Sequence, residues 1–352
     1  MILFILPRFS GGGAERVSLN YINELYLRGY DVQLLVLENK GPLKKYLSEG
    51  IPLHNLRRNS LKTAIFSLYK KITKLKPRIV FSTLGYVNLG VLFTCFFLNK
   101  RPKIYLREAN FPSINIKENR FSFITKFAYF QLYKKADYIF CTSQKMKHEF
   151  NSLFGISLDK LKILPNPVDT DAINLSIKEC DLKKQEQIIF VASGRLVKQK
   201  GFDILIDIFR KVKFDFKLFI LGTGPLKKSL GNQILKNNLQ DKIFLVGYEK
   251  EPWCYYLVSD YFIMSSRWEG MSNAMLEALF CGTKIISSVD AGAVDELKMQ
   301  CDDEAIILYY EKSELIETLN RLQSQTLTSE IKSNLPKCYY LKNSIEELIK
   351  YL

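Results

Sequence analysis

The feature that most restricts what this chain can fold into is a rhythm of short, uncharged apolar runs, each followed by a segment with helical spacing. "ILFIL" at 2–6 leads into "GGAERVSLNYINELYLRG", an amphipathic stretch that stops at Gly29, and then into "DVQLLVL". Strands apolar on both faces and separated by helices belong to parallel sheets, because a parallel pair needs a crossover long enough to hold a helix. The rhythm continues through "AIFSLYKKITKLK", "RIVFST", "IYLRE", "RFSFITKFAYFQLYKKA" and "DYIFCTS". It breaks at "KILPNPVD", where two prolines bracket Asn166, and such punctuation after a full α/β set marks a domain boundary. It restarts with "QIIFVASGRL", "GFDILIDIFRKV", "FKLFILGTG", "PLKKSLGNQILKNN", "KIFLVGY", "DYFIMSS", "SNAMLEALFCG", "TKIISSV" and "AIILYY", and the tail from about Glu311 reads as helical. The expectation is an α/β chain of two Rossmann-like domains, 1–167 and 168–352, with a cleft between them. The C-terminal helix is a candidate to pack back on the first domain. Ligands of such sheets sit beyond the carboxyl ends of the strands, so the loops after those ends are the informative ones.

Charge divides the chain in the same way. Residues 1–150 hold 25 Lys and Arg against 9 Asp and Glu, residues 151–352 hold 26 against 27, and residues 51–100 hold no acid at all. The first domain therefore carries the whole net charge of +15, which suits an anionic partner there, a membrane surface or a nucleic acid. The seven cysteines are scattered with no C-x-x-C pair, and there are two histidines, His54 and His148. That pattern fits reduced thiols in a cytoplasmic protein and neither a disulfide framework nor a zinc site. "MILFILPRFSGGG" lacks the basic start and the long apolar run of a signal peptide and reads as a buried strand. Residues 79–98 are uncharged and long enough to span a bilayer, but Gly85, Asn88 and Gly90 interrupt them and the strand–helix rhythm is intact on both sides. They read as a buried strand, a turn and a short buried helix.

Several loops could carry chemistry. In "FSGGGAER" the glycines let backbone approach a ligand and the next helix start offers amides to an anion, though a tight turn would look the same. "SGRLVKQKG" sets Arg195 and Lys200 beside Gly194 and Gly201 at the end of a strand, a pair suited to clamping a diphosphate. "LGTGP", with Gly222 and Gly224, lacks the third glycine of a dinucleotide fingerprint. In "SSRWEGMSNAMLEAL", Ser272 or Asn273 can cap a helix, with Glu269 in the loop before the cap and Glu277 about one turn inside. The two glutamates cannot be helix neighbours. They straddle an anion-binding helix end and can accept hydrogen bonds from paired hydroxyls on a sugar or ribose. "DTD" at 169–171 looks like a metal-binding triplet but follows the Pro-Asn-Pro hinge rather than a central strand, and "CDDE" at 301–304 reads as a solvated charge run.

The order "GGAER", "PNPVD", "SGRLVKQKG", "LGTGP", "FLVGY" and "SSRWEGMSNAMLEALFCGTKIIS" resembles glycosyltransferase family 4, retaining enzymes of the GT-B fold, over nearly the whole chain. The resemblance implies a nucleotide-sugar donor, UDP-linked by the family's habit, held mainly by the second domain without metal or other cofactor. Arg195 and Lys200 would hold the donor diphosphate beside Gly194, Glu277 the ribose hydroxyls and Glu269 the transferred sugar. The amides at Met271, Ser272 and Asn273 would add donors. Gly12 and Gly13 would close over the diphosphate from the first domain, and Gly247 and Tyr248 would meet the base. The leaving phosphate would accept the acceptor's proton on the same face. Many members carry a histidine after the strand equivalent to "KIYL". Here the segment is "REANFPS", akin to one in a subgroup that builds bacterial surface polysaccharides and glycoprotein glycans, so Arg107, Glu108 or Asn110 would do the positioning.

The first domain of the family binds the acceptor, often a glycan on undecaprenyl diphosphate at the inner face of the cytoplasmic membrane. A basic domain with segments such as "RFSFITKFAYFQLYKK" fits a peripheral protein on anionic lipid, although that segment alone also fits an ordinary buried helix with snorkelling lysines. Two other readings explain less. A UDP-sugar epimerase would want a positioned base, and histidines are scarce. A nucleic-acid-binding protein would show a recognised module and would leave the glutamates unexplained.

Overall fold

The computed structural model describes residues 1–117, 122–182, 187–322 and 333–352. The chain divides into two compact units, unit 1 of Met1–Pro167 with Leu341–Leu352, and unit 2 of Val168–Tyr340. Each is a parallel sheet covered by helices on both faces.

Unit 1 has strands β1 (Ile2–Leu6), β2 (Val32–Val36), β3 (Leu53–Asn55), β4 (Ile79–Thr83), β5 (Lys103–Arg107), β6 (Tyr138–Cys141) and β7 (Leu161–Ile163), in the order β3-β2-β1-β4-β5-β6-β7. Register runs Ile2 beside Val32 on one side of β1 and Ile2 beside Ile79 on the other. β1 and β4 are buried along their whole length, which is why they read as unbroken apolar runs. The helices are α1 (Gly13–Leu27), α2 (Leu61–Leu75), α3 (Gly85–Phe96), α4 (Pro112–Lys117), α5 (Ser122–Leu132) and α6 (Gln144–Phe154). α2 buries Ala64, Leu68 and Ile72, one side chain per turn. It packs with α3, α5 and α6 on one sheet face.

The uncharged stretch 79–98 is β4, a turn at Leu84 and the twelve-residue α3. No helix of the described residues is long and apolar enough to cross a membrane. The aromatic-basic segment begins outside the described residues at Arg120 and Phe121, then forms α5 and a 3-10 turn over Tyr133–Lys135. It buries Tyr129 and Tyr133 and exposes Phe123, Ile124, Phe127 and Phe130, so it is no ordinary buried helix.

Unit 2 has α7 (Thr170–Ile177), β8 (Ile188–Ser193), α8 (Phe202–Phe209), β9 (Phe216–Leu221), α9 (Lys227–Lys236), β10 (Ile243–Gly247), α10 (Trp253–Val258), β11 (Tyr261–Met264), α11 (Asn273–Phe280), β12 (Lys284–Ser288), α12 (Val294–Lys298), β13 (Ile306–Tyr309) and α13 (Lys312–Leu322). Its strand order is β10-β9-β8-β11-β12-β13. Asp169 of the "DTD" triplet caps α7, accepting from the Ala172 amide at 3.1 Å. Asp302, Asp303 and Glu304 are exposed, and Glu304 pairs with Lys284 at 2.9 Å. All seven cysteines are free thiols.

The last helix, α14 (Leu341–Ile349), joins unit 1, where Ile345 and Leu348 enter the core beneath α1. Tyr21 on α1 fastens it: its hydroxyl lies 2.6 Å from Ser344 Oγ and donates to the Pro165 carbonyl at 3.0 Å. Leu348→Ala should therefore cost about 2–5 kcal/mol of unit 1 stability, as truncation of a buried leucine does. A urea midpoint followed by circular dichroism checks this, and an unchanged midpoint would remove α14 from that core.

Candidate active site

In unit 2 the strand order reverses direction between β8 and β11, the kind of switch point beside which open α/β sheets bind ligands. The loops leaving these two strands carry Lys200 and Glu269. Lys200 ends a 3-10 turn, Lys198–Lys200, and its Nζ donates to Glu269 Oε2 at 2.6 Å, with Ser266 Oγ donating to the same oxygen at 3.3 Å. Both side chains are mostly buried, at 16% and 12% exposure, so the charges meet where water screens them poorly.

The two loops are fastened to each other around that pair. The Arg267 amide donates to the Gln199 carbonyl at 2.8 Å, and Gln199 Nε2 returns a bond to the Trp268 carbonyl at 3.1 Å. Ser265 Oγ donates to the Lys200 carbonyl at 3.0 Å. The Arg267 guanidinium forks onto Asp203 at 2.9 and 2.7 Å, which holds the Asp203 carboxyl below its usual range. Gly201 sits at φ +67°, and a Cβ there would come within 2.0 Å of the Ser265 carbonyl oxygen. The turn thus needs a glycine for both its conformation and its closeness to the neighbouring loop.

Glu277 lies inside α11, where Trp253 Nε1 donates to its Oε2 at 2.9 Å. The phenol of buried Tyr256 is pushed well above its ordinary value, first by burial and then by the negative charge of Glu277. Ser272 occupies the N-cap position of α11, but its hydroxyl makes no capping bond, and Asn273 is the first helical residue, so neither side chain caps as expected. Met271 and Ser272 are buried and Asn273 half-buried. Arg195 is exposed, and its guanidinium meets no carboxylate among the described residues. Gly194, at φ +155°, packs against the Lys200 stem, and a Cβ on Gly222 would reach within 2.0 Å of the Gly194 carbonyl oxygen. These close approaches hold the loops after β8 and β9 down against each other. Gly247 ends β10 and Tyr248 follows it, about half exposed. Among the described residues no cluster of three or more His, Cys, Asp or Glu side chains could hold a metal ion.

In unit 1, Gly12 is the N-cap of α1 and Gly13 its first residue, at the carboxyl end of β1. The Glu15 carboxylate folds back over Gly12, its Oε2 being 2.4 Å from where a Cβ would stand. An anion approaching this helix start would meet that charge, and Glu15 would have to turn aside.

Arg107 and Glu108 differ from expectation. Their side chains are 1% and 0% exposed, so neither is displayed to an acceptor, and only Asn110 of the three is half-exposed. Burial is the consequence of two separate partnerships. Arg107 Nη2 donates to Asn166 Oδ1, which ties the Pro-Asn-Pro segment to β5, while Nε and Nη1 have no protein partner. Glu108 accepts from Tyr133, from Asn88 Nδ2 at 2.8 Å and from Asn115 Nδ2 at 3.3 Å. Burial pushes its carboxyl up to about 7 in spite of those donors.

Trp253 was not foreseen from sequence. A lone tryptophan opening a short helix carries no signal that its indole will meet a glutamate 24 positions on.

The sequence model described as Glycosyltransferase Family 4 matches residues 11–172, and that of Glycosyl transferases group 1 matches residues 176–334. A Campylobacter jejuni protein named N-acetylgalactosamine-N,N'-diacetylbacillosaminyl-diphospho-undecaprenol 4-alpha-N-acetylgalactosaminyltransferase is 32% identical over 295 residues, 81% of this chain and 80% of its own length. An Escherichia coli UDP-Gal:alpha-D-GlcNAc-diphosphoundecaprenol alpha-1,3-galactosyltransferase is 27% identical over 314 residues, 81% and 77% of the two chains. Among solved structures, Anabaena HepE in complex with UDP superposes with a TM-score of 0.80 at 17% identity, over 99% of this chain and 98% of that one. That likeness establishes the architecture, GT-B.

The Glu108 carboxyl sets a pH dependence. Its folded value of about 7 exceeds the ordinary 4.5. Below the ordinary value both states are protonated and nothing is lost. As pH rises to about 7 the unfolded chain releases the proton first, and folding is progressively opposed. Glu108→Gln should flatten the stability profile of unit 1 between those values, read as urea midpoint against pH, whereas an unchanged slope would place the titration elsewhere.

Proposed function

The chain belongs to glycosyltransferase family 4, and from that premise we propose that it moves one sugar from a UDP-linked donor to a glycan on undecaprenyl diphosphate, with retention and without a metal ion. The observation that carries the reading is the Lys200–Glu269 pair, presented on fastened loops at the switch point of unit 2. The names of two relatives, which specify diphosphoundecaprenol acceptors and in one case a UDP-galactose donor, favour these substrates.

An ammonium has three donors, and Glu269 takes one from Lys200. The others, with the Arg195 fork, suit phosphate oxygens. As the bond from the anomeric carbon to the diphosphate breaks, negative charge grows on that oxygen, and cations fixed there stabilise it without reorganising. The helix start at Met271, Ser272 and Asn273 adds amides to the same anion. Glu269 accepts hydroxyls of the transferred sugar, and Glu277, held by Trp253, accepts those of the ribose. The acceptor oxygen bonds the anomeric carbon on the face the phosphate leaves, and its proton passes to the departing phosphate. Gly247 and Tyr248 border the base. The basic unit 1 takes the acceptor, with the protein peripheral on the inner face of the cytoplasmic membrane.

Lys200→Ala and Glu269→Ala should each lower kcat by about 10²–10³-fold or more while leaving the circular dichroism melt in place. The assay is a panel of UDP-, GDP- and ADP-sugars with isolated membranes as acceptor source, and full activity in the double variant would dismiss the site. Excess chelator should leave the rate unchanged, whereas loss restored by added Mg²⁺ or Mn²⁺ would show that a metal takes part.

A further inference from the structure

Unit 1 carries a concave feature among the loops that follow β2 and β3, at the carboxyl edge of its sheet and next to the loop that leaves β1. A cavity of about 600 Å³ lies there. The segments that line it are fixed by main-chain bonds that continue the ladder past the strand ends. The Leu37 amide donates to the Leu6 carbonyl at 3.2 Å and the Glu38 amide to the Pro7 carbonyl at 3.0 Å. The Leu56 and Arg58 amides donate to the Val36 and Leu37 carbonyls at 3.0 and 2.8 Å. Beyond them the Phe9 amide donates to the Lys40 carbonyl at 3.0 Å, and a Cβ on Gly41 would stand 2.0 Å from the Phe9 carbonyl oxygen. The wall is therefore set before any ligand arrives, which lowers the ordering cost of binding.

Every residue lining the cavity is polar or charged. Such a wall gives an acyl chain or a nucleobase nothing to pack on, and pockets for those ligands are mostly apolar. It offers instead an oxyanion site beside partners for hydroxyls. Arg57, Arg58 and Lys40 are exposed in it, against one acid, Glu38, which Arg8 of the β1 loop meets at 3.6 Å. Arg58 Nε reaches Ser67 Oγ at 3.4 Å, and neither arginine nor Lys40 meets a carboxylate among the described residues. The start of α2 adds Thr63 to the wall, and no acid stands in its first turn, so the positive end of the helix is left unopposed. Asn39, Asn55 and Asn59 stand around these cations. Asn39 Oδ1 is buried without a donor among the described residues. Asn55 Oδ1 accepts the Arg57 amide at 2.9 Å, and its Nδ2 has no protein partner among them. A side-chain amide both gives and takes hydrogen bonds, as a ring hydroxyl does. Arg57 itself stands at φ +54°, a conformation that side chains seldom adopt, and such strain collects at ligand sites.

We propose that this cavity binds an acidic sugar, with its carboxylate or phosphate ester on Arg57 and Arg58 and its hydroxyls on the asparagines. Guanidinium groups fork onto oxyanions that present two oxygens. The volume, large against the roughly 30 Å³ of a water molecule, leaves room for a ring beyond the anion. The cavity shares no residue with the Lys200–Glu269 site or with Gly12 and Gly13. An acidic sugar reaches it from one of two sources, a unit of a glycan held by unit 1 or a free sugar acid or sugar phosphate. The first source rests on the acceptor reading given above, and the cavity's chemistry does not.

The test is calorimetry on the full chain with glucuronic acid, glucose 6-phosphate, glucose and inorganic phosphate. At least one acidic sugar should bind with a Kd of about 1 mM, as a ligand of that size allows, and glucose at least tenfold more weakly. Arg57→Ala/Arg58→Ala should weaken the acidic sugar tenfold or more. Lys70→Ala/Lys74→Ala, which removes equal charge from the far end of α2, should weaken it less than threefold. Arg57→Gly should weaken it too while raising the urea midpoint, because it removes a cation and a strained φ together, so unfolding does not explain the loss. Equal losses in the two double variants, or no binding of either acidic sugar, would overturn the proposal. Glucose bound as tightly as its acidic relatives would overturn the role of the charge. Inorganic phosphate bound as tightly as glucose 6-phosphate and lost in Arg57→Ala/Arg58→Ala would identify a simple anion site and overturn the sugar. Isolated membranes as acceptor separate the sources. An acceptor KM raised by Arg57→Ala/Arg58→Ala, with UDP binding unchanged, supports the glycan, and an unchanged KM with the acidic sugar lost supports the free one. Failure of UDP to bind the parent chain would count against the transfer reading alone, so the two can fail independently.

Discussion

The candidate site of unit 2 depends on one ion pair and on the bonding that keeps its loops in register. Lys200 and Glu269 are 69 residues apart in sequence, and two flexible loops would not hold a 2.6 Å contact by attraction alone. The Arg267 amide bonded to the Gln199 carbonyl, the Arg267–Asp203 fork and the close fit of Gly201 under Ser265 supply the restraint. The ordering entropy is met during folding, so a ligand that exchanges into the pair meets charges already positioned. Glu277 follows the same logic with a different device, an indole N–H in place of a cation.

Unit 1 is organised by the opposite choice. Its charged residues at the end of β5 are withdrawn into the interior, where Glu108 is held by Tyr133, Asn88 and Asn115 and Arg107 anchors Asn166. A buried carboxylate among neutral donors stabilises less than it constrains. The constraint falls on the segment that ends unit 1 at Pro167 and on the ends of α3 and α4. Charge that remains at the surface of α2, α3 and α5 is then almost wholly positive.

Much of this was legible in sequence, for identifiable reasons. Parallel strands buried on both faces declare themselves as apolar runs, and glycines at switch-point loops mark where backbones meet. Short elements did not declare themselves: β3 is three residues at a sheet edge, mostly half-exposed, with no period to read. The chemistry of Glu269 and Lys200 was visible as residue types, but their direct pairing is a tertiary fact. The role expected of Arg107 and Glu108 rested on the resemblance, and their place at the end of "IYLRE" carries no sign of whether the side chains are displayed or buried. Only the donors brought in from α3, α4 and the turn after α5 make the burial of Glu108 tolerable.

Both tryptophans of the chain fall in unit 2, Trp253 against Glu277 and Trp268 in the loop that carries Glu269. Indole emission shifts with the polarity and charge of its surroundings. The molecule thus carries a built-in optical reporter with one fluorophore at each glutamate, while unit 1, rich in tyrosine and phenylalanine, stays dark at the same wavelengths.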